Sequence, residues 1–179
     1  KIGQYPKIKP PEGLIICYQR SLLQFILANH KTTVARAFGE IHLLDETGGK
    51  IAVANINGIG GPCAGTSLEE KIAFGTRKFI SIGSAGSLQK NISIGDIVVC
   101  DRAIRDEGVS HHYLEDSKYV HASEEMTRCI QNSLDKLGIE YITGTSWTTD
   151  AVYRETIAEV RQYQKEGVCM MEDFLRSVD

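Results

Sequence analysis

A three-layer α/β fold built on a central mixed, mostly parallel sheet is what this sequence predicts, and three observations carry that prediction. Short apolar runs of strand length alternate with longer runs of helical periodicity from Gly13 to Glu172. One hairpin signal, Asp45-Glu46-Thr47-Gly48-Gly49, and one direct strand-to-strand passage near residues 84–96 interrupt the alternation, which makes the sheet mixed. Several strand-like runs end in glycine or other small residues, at the carboxyl ends where open α/β sheets hold ligands. The 179 residues, 42% hydrophobic and 24% charged, suffice for a single domain over 1–179 that buries on the order of two-thirds of its unfolded surface. No internal repeat, low-complexity run or linker divides it.

Taken in order, Leu14-Ile15-Ile16-Cys17 is an apolar run between turn residues and predicts a central strand. Arg20 to His30, with Leu22, Leu23, Phe25, Ile26 and Leu27, predicts a packed helix. Thr33 to Leu44 and Lys50 to Asn57 are strand-like runs joined by the hairpin signal. Asn57-Gly58-Ile59-Gly60-Gly61-Pro62 then opens a helix over Ala64–Phe74 with Leu68, Ile72, Ala73 and Phe74 on one face. Phe79, Ile80 and Ile82 form a strand that breaks into Gly83-Ser84-Ala85-Gly86, and Ile97 to Cys100 form another before the charged stretch Asp101 to Glu107. Ser123 to Leu137 is a helix with Ser123 as N-cap, two glutamates in its first turn and Gly138 after its end. Ile139 to Thr149 is a strand, residues 150–165 turn into a helix that Gly167 stops, and Val168 to Glu172 is a last strand whose mouth carries a carboxylate.

The bulk properties exclude several classes. A formal net charge of -3 offers no basic field for a polyanion, so no nucleic-acid partner is expected. No apolar run approaches the roughly 18 residues of a membrane helix, and no signal peptide is visible. The cysteines, Cys17, Cys63, Cys100, Cys129 and Cys169, are odd in number and widely spaced, which predicts reduced, buried thiols in the cytoplasm and neither a disulfide framework nor a metal site. Adjacent His111 and His112 on an extended chain face opposite ways, so at most one faces a site.

Two glycine-rich turns carry the candidate chemistry. Gly83-Ser84-Ala85-Gly86 leaves amides and hydroxyls able to cradle phosphate or carboxylate oxygens, and the Gly58–Gly61 loop adds the free amides of a helix start. Either is also what an ordinary strand exit needs. A dinucleotide fingerprint is excluded, because Cys63 stands where its third glycine belongs and no acidic residue closes the next strand. Glu172 is an acid at the end of an otherwise apolar run, a position that suits function or the mere start of a helix.

In order and spacing, these pieces resemble the nucleoside phosphorylase-I family, which holds purine nucleoside phosphorylases, uridine phosphorylases and methylthioadenosine nucleosidases. The carriers are Asn57-Gly58-Ile59-Gly60-Gly61-Pro62 with Glu69-Glu70, Ile82-Gly83-Ser84-Ala85-Gly86 with Gly95-Asp96-Ile97-Val98, Thr149-Asp150-Ala151-Val152-Tyr153-Arg154-Glu155, and Gly167 leading to Met171-Glu172. The resemblance implies a nucleoside phosphorylase-like fold and phosphorolysis of a purine nucleoside or uridine to free base and ribose 1-phosphate. It implies Glu172 as acceptor for the ribose hydroxyls, Met171 under the sugar and Tyr153 against the base. Ser84, the amides around Gly60, Arg20 and Arg36 would bind phosphate, with Arg36 reaching in from a neighbouring subunit of a homo-oligomer (a dimer or trimer of dimers). Inorganic phosphate is the co-substrate, and no cofactor or metal is implied.

The sequence also departs from the family. Tyr18-Gln19-Arg20 keeps only the arginine of a Gly-Asp-Pro-x-Arg loop, and Ser81 stands where many phosphorylases carry an arginine. The second departure is nearer the nucleosidases, whereas Asp106-Glu107-Gly108-Val109-Ser110-His111-His112-Tyr113 is nearer the phosphorylases. A nucleoside hydrolase and a non-catalytic binding or storage relative therefore stay open as alternatives. The short turn after Tyr153 leans toward purines. Family chains continue past the ribose glutamate to a base-protonating aspartate, so a carboxyl-terminal part is expected to be missing here, and Asp179 is assigned no role.

Overall fold

The computed structural model describes residues 8–36, 39–56, 58, 60–151 and 153–172, the last of these by its backbone. Asn57, Ile59, Val152 and the segment 173–179 of the motifs above lie outside the described residues. The chain divides after Gly83 into two compact units, each with its own sheet.

In the amino-terminal unit, β1 (Gly13–Cys17), β2 (Thr32–Arg36), β3 (Glu40–Leu44), β4 (Ile51–Asn55) and β5 (Lys78–Ile82) form a sheet in the order β2-β3-β4-β1-β5. β1 runs parallel to both β4 and β5, while β3 is antiparallel to β2 and β4. The continuous apolar runs become the most buried strands, with Ala52, Val53 and Ala54 at 4% exposure or less. The run read as one strand from Thr33 to Leu44 is two antiparallel strands, and Gly39, just ahead of the second, has a positive φ of 97° that suits glycine. The expected hairpin joins β3 to β4 through one 3₁₀ turn, Asp45–Thr47, closed by left-handed Gly48 and Gly49.

Helices α1 (Arg20–Asn29) and α2 (Gly61–Phe74) depart from their predicted packing. α1 contains no buried residue: Leu22, Leu23, Ile26 and Leu27 are half-buried and Phe25 is 66% exposed. Its apolar residues circle the helix, and a single sheet face covers only one side of such a helix. The buried residue of α2 is Lys71, not Ile72, which is 44% exposed.

The carboxyl-terminal unit contains β6 (Gly86–Ser87), β7 (Val98–Asp106), β8 (Tyr119–His121), α3 (Glu124–Leu137), β9 (Ile142–Thr149), α4 (Ile157–Lys165) and β10 (Met170–Glu172). Its sheet order is β6-β10-β9-β7-β8, with β10, β9 and β7 parallel and both edge strands antiparallel. β7 runs past its expected end at Cys100, through a bulge, into the charged stretch. Arg102 finds partners on the sheet: its Nε donates to Thr145 Oγ1 at 2.8 Å and its guanidinium lies over the Tyr119 ring. α3 has the predicted Ser123 cap and left-handed Gly138. α4 starts at Ile157, after the expected turn of residues 150–156, where Thr156 and Glu159 form a reciprocal capping box. Leu88, Ile104, Trp147, Val168 and Met171 make the core, with Tyr163 tilted against Trp147 at 4.7 Å between ring centroids.

The mixed α/β class is the one observed, its strands divided between two five-stranded sheets that each hold three consecutive parallel strands. None of the five cysteines is in a disulfide, Cys17 and Cys169 being buried as expected but Cys129 exposed on α3. Among the described residues, no helix is long and apolar enough to cross a membrane.

Burial pushes the Lys71 amine below the ordinary lysine range, against the opposing pull of Glu70 at 3.8 Å. A folded value below the unfolded one means that the burial penalty is complete at neutral pH and is relieved as pH rises from the lowered value to about 10.4. Lys71→Met should therefore stabilise the fold by about 1 kcal/mol at pH 7. Urea melts of the two proteins should converge as the buffer is taken toward pH 10.

Candidate active site at the carboxyl ends of the parallel strands

Parallel register brings the exits of β7, β9 and β10 to one edge. Glu172 is level with Thr148, which is level with Arg105, and Thr149 is level with Asp106. β6 enters from the same edge in the opposite direction: Gly86 pairs with Met171, so Ser84 stands one step beyond the level of Glu172 on the adjoining strand. The turn after β9 carries Tyr153, whose side chain is exposed. Ser84, Tyr153, Met171 and Glu172 thus come to one edge of one unit. Met171, expected under a sugar, is a core side chain at 8% exposure packed with Trp147 and Val168, so little of it is left for a ligand.

Beside this edge lies a cavity of about 350 Å³ between the loops that follow β7 and β9, lined by Asp106, Glu107, His111, Asp150, Arg154 and Glu159 among others. Four of its carboxylates, those of Asp106, Glu107, Asp150 and Glu159, are bonded to the protein itself. Asp106 Oδ2 accepts from Trp147 Nε1 at 3.0 Å, Asp150 Oδ2 accepts from the Gly108 amide at 2.8 Å, and Glu159 caps α4. Glu107 accepts from the amides of Val109 at 2.7 Å and Ser110 at 3.0 Å. Burial alone would raise the Glu107 carboxyl, but those hydrogen bonds, with His111 nearby, outweigh it and hold the group below the usual glutamate range. His111 sits on a 3₁₀ turn, Ser110–His112, in place of the expected extended chain, and of the histidine pair it alone lines the cavity.

In the amino-terminal unit a second edge forms the same way. Cys17 is level with Asn55 and with Ile82, so the chain leaves β1 toward Arg20, β4 toward Gly60 and β5 toward Gly83 at one rim. Gly60 is the N-cap of α2, with φ 86° and a proline in the first turn. Arg20 is the exposed first residue of α1. Asn55 ties the exits together, its Nδ2 donating to the carbonyls of Cys17 at 2.6 Å and Tyr18 at 3.2 Å. Arg36 ends β2 on the same rim, exposed, but three strand positions from β1, about 14 Å at about 4.8 Å per strand.

Sequence reasoning missed Asn55, Arg105 and Asp106, each a polar residue in or beside a strand with a buried or backbone partner. Their signal was a lone polar side chain at the last position of an apolar run, or inside a β-run that continued past it. Among the described residues, no group of three or more His, Cys, Asp or Glu side chains could hold a metal ion.

A family model described as the phosphorylase superfamily matches residues 19–172. The chain belongs to that superfamily. Among relatives of this phosphorylase-superfamily chain, the uridine phosphorylase of Thermococcus kodakarensis is 36% identical over 96 residues, which cover 54% of this chain and 35% of the relative. The uridine phosphorylase of Haemophilus influenzae is 33% identical over 105 residues, covering 59% and 42%. The chain thus spans less than half the length of these curated relatives in its match to them. Its fold is similar to a crystal structure of uridine phosphorylase from Vibrio fischeri, with TM-score 0.79 and 24% identity over 93% of this chain and 70% of that one. It is also similar to the P knowlesi homolog of P falciparum PNP, with TM-score 0.70 and 21% identity over 96% and 73%.

The lowered carboxyl of Glu107 makes a prediction for this superfamily member. A depressed folded value contributes stability that is present above the unfolded value, near 4.3, and lost as pH falls through the folded one. Glu107→Gln should weaken protection of the Val109 and Ser110 amides by about fivefold at pH 7, roughly 1 kcal/mol. Amide exchange checks this, and the stability gap between the two proteins should close as pH falls below about 4.

Proposed function

We propose that this superfamily member catalyses phosphorolysis of a nucleoside. An oxygen of inorganic phosphate bonds to C1′ as the C1′–N bond breaks, the electron pair leaves with the base, and the base takes a proton. The transition state is a cationic ribosyl group between two partners, and it asks for positioning more than covalent help. The observation that carries this reading is the adjacency of the Ser84 turn and Glu172 on neighbouring strand ends. In it, Glu172 accepts hydrogen bonds from the ribose 2′ and 3′ hydroxyls, Ser84 binds phosphate, and Tyr153 stacks on the base. Arg20 and the amides at Gly60 add a cation and a helix start for phosphate. Met171 contributes by fixing β10.

The position of Arg36, exposed at the end of an edge strand three positions from β1, supports its use by a neighbouring subunit and hence a homo-oligomer. Free cysteines and the net charge of -3 suit a cytoplasmic enzyme acting on small molecules. The names of the curated relatives favour uridine, whereas the short turn after Tyr153 favours a purine nucleoside. A hydrolase is the second reading, because Ser81 on β5 replaces a phosphate-binding arginine.

The test incubates uridine, inosine and adenosine with the protein, with and without phosphate, and assays free base. Release that requires phosphate is expected. Release without it converts the reading to the hydrolase, and no release by the full-length protein leaves a binding relative. Glu172→Gln should lower turnover about 100-fold with an unchanged melting curve, the size of effect seen when one transition-state contact is removed. Turnover close to wild type would take Glu172 out of the site.

A further inference from the structure

Arg105 is 7% exposed, yet no partner of its guanidinium is a carboxylate. Its Nε donates to Ser110 Oγ at 2.8 Å, Nη1 to the Glu115 carbonyl at 2.7 Å and to Ser117 Oγ at 2.9 Å, and Nη2 to the Leu114 carbonyl at 3.4 Å. All of these acceptors lie in the loop of residues 107–118, which leaves β7 at Asp106 and returns to β8. A buried cation met only by neutral oxygens is an expensive way to fill space, and an apolar side chain of similar volume would serve stability as well or better. What it supplies is shape, because five donors in a rigid plane fix where the loop's oxygens must stand.

The shape passes to the next loop. Glu107 and Ser110 close the near end of the gripped segment, and between them the Gly108 amide donates to Asp150 Oδ2 at 2.8 Å. Asp150 opens the turn that carries Tyr153. That turn is held otherwise by short-range bonds, from Ala151 N to Thr149 Oγ1 at 3.2 Å and from Arg154 N to the Ala151 carbonyl at 2.7 Å. The Tyr153 ring is 89% exposed, so packing does not fix it, and its position depends on the turn beneath it.

We propose that Arg105 is a positioning residue for the base end of the site: it moulds the β7–β8 loop so that Gly108 anchors Asp150 and thereby the Tyr153 turn. The kinetic part of this inference rests on the nucleoside phosphorylase reading, while the anchoring itself does not.

The experiment compares the full-length protein with Arg105→Lys, which keeps the charge and loses the planar fork, and with Ser110→Ala, which removes one acceptor and leaves the arginine in place. Amide exchange is read at Gly108 and Ala151 and, as a control, in β10. Protection at Gly108 and Ala151 should fall at least tenfold in Arg105→Lys and by a lesser but measurable factor in Ser110→Ala, with β10 unchanged. In steady-state kinetics, KM for the nucleoside should rise about tenfold in Arg105→Lys while KM for phosphate stays within twofold. Unchanged protection at Gly108 and Ala151 in both variants overturns the anchoring, whether or not the protein turns over nucleosides. Lost protection with both KM values unchanged, or with both raised alike, overturns the link to the base end. Wild-type protein that releases no base defeats the phosphorylase reading alone, and the exchange result then decides the anchoring by itself.

Discussion

Parallel pairing in register is the constraint from which the rest of this structure follows. A parallel strand must be fed by a crossover and must leave at the same edge as its neighbours. In the carboxyl-terminal unit that rule lines up the ends of β7, β9 and β10, and the antiparallel entry of β6 adds Ser84 to the same edge. In the amino-terminal unit it lines up the exits toward Arg20, Gly60 and Gly83. Residues scattered through the sequence become neighbours because strand ends are levelled. No single motif has to specify the meeting.

Levelling strand ends also gathers loops whose backbone groups have lost their ladder partners, and those groups need replacements. The polar side chains at these edges are used largely for that. Asn55 takes two carbonyls where β1 ends, Glu107 takes two amides of the loop it begins, Asp150 takes the amide of Gly108, and Asp106 satisfies the indole of buried Trp147. A cavity lined by five acids thus reads very differently once the bonds are traced. Most of its negative charge is tied into holding loops, and the lowered Glu107 carboxyl is a sign of that work and not of an acid poised for proton transfer.

The sequence was legible where a local rule suffices. Apolar runs marked β1 and β4, the serine and glycine around α3 marked its ends, and the glycine turns at Gly60 and Ser84 fell at strand exits. It was opaque where the deciding partner is distant. β7 continues through Arg102 and Arg105 because Thr145, Tyr119 and the 107–118 loop accept those cations, which no window around residue 102 reveals. On β10, period-two alternation separates neighbours, and Met171 belongs to the core, a division the motif Met171-Glu172 does not announce.

Lys71 and Arg105, buried cations among the described residues, show why residue type matters as much as burial. Lys71 carries a compact charge whose attraction to Glu70 at 3.8 Å offsets its desolvation only in part, and its amine responds by holding its proton less tightly. Arg105 cannot respond in that way, since a guanidinium stays charged throughout the accessible pH range. Its only route to a tolerable energy is to saturate its donors, and a planar fork saturates them only if oxygens stand around it in one plane. The loop from Glu107 to Lys118 supplies them from two serine hydroxyls and from main-chain carbonyls whose positions are set by the fold of the loop itself. Loop and cation are therefore each other's condition. A lysine at 105 would keep the charge but present no planar fork to the loop's oxygens, so the arginine is the choice that obliges the loop to keep one shape.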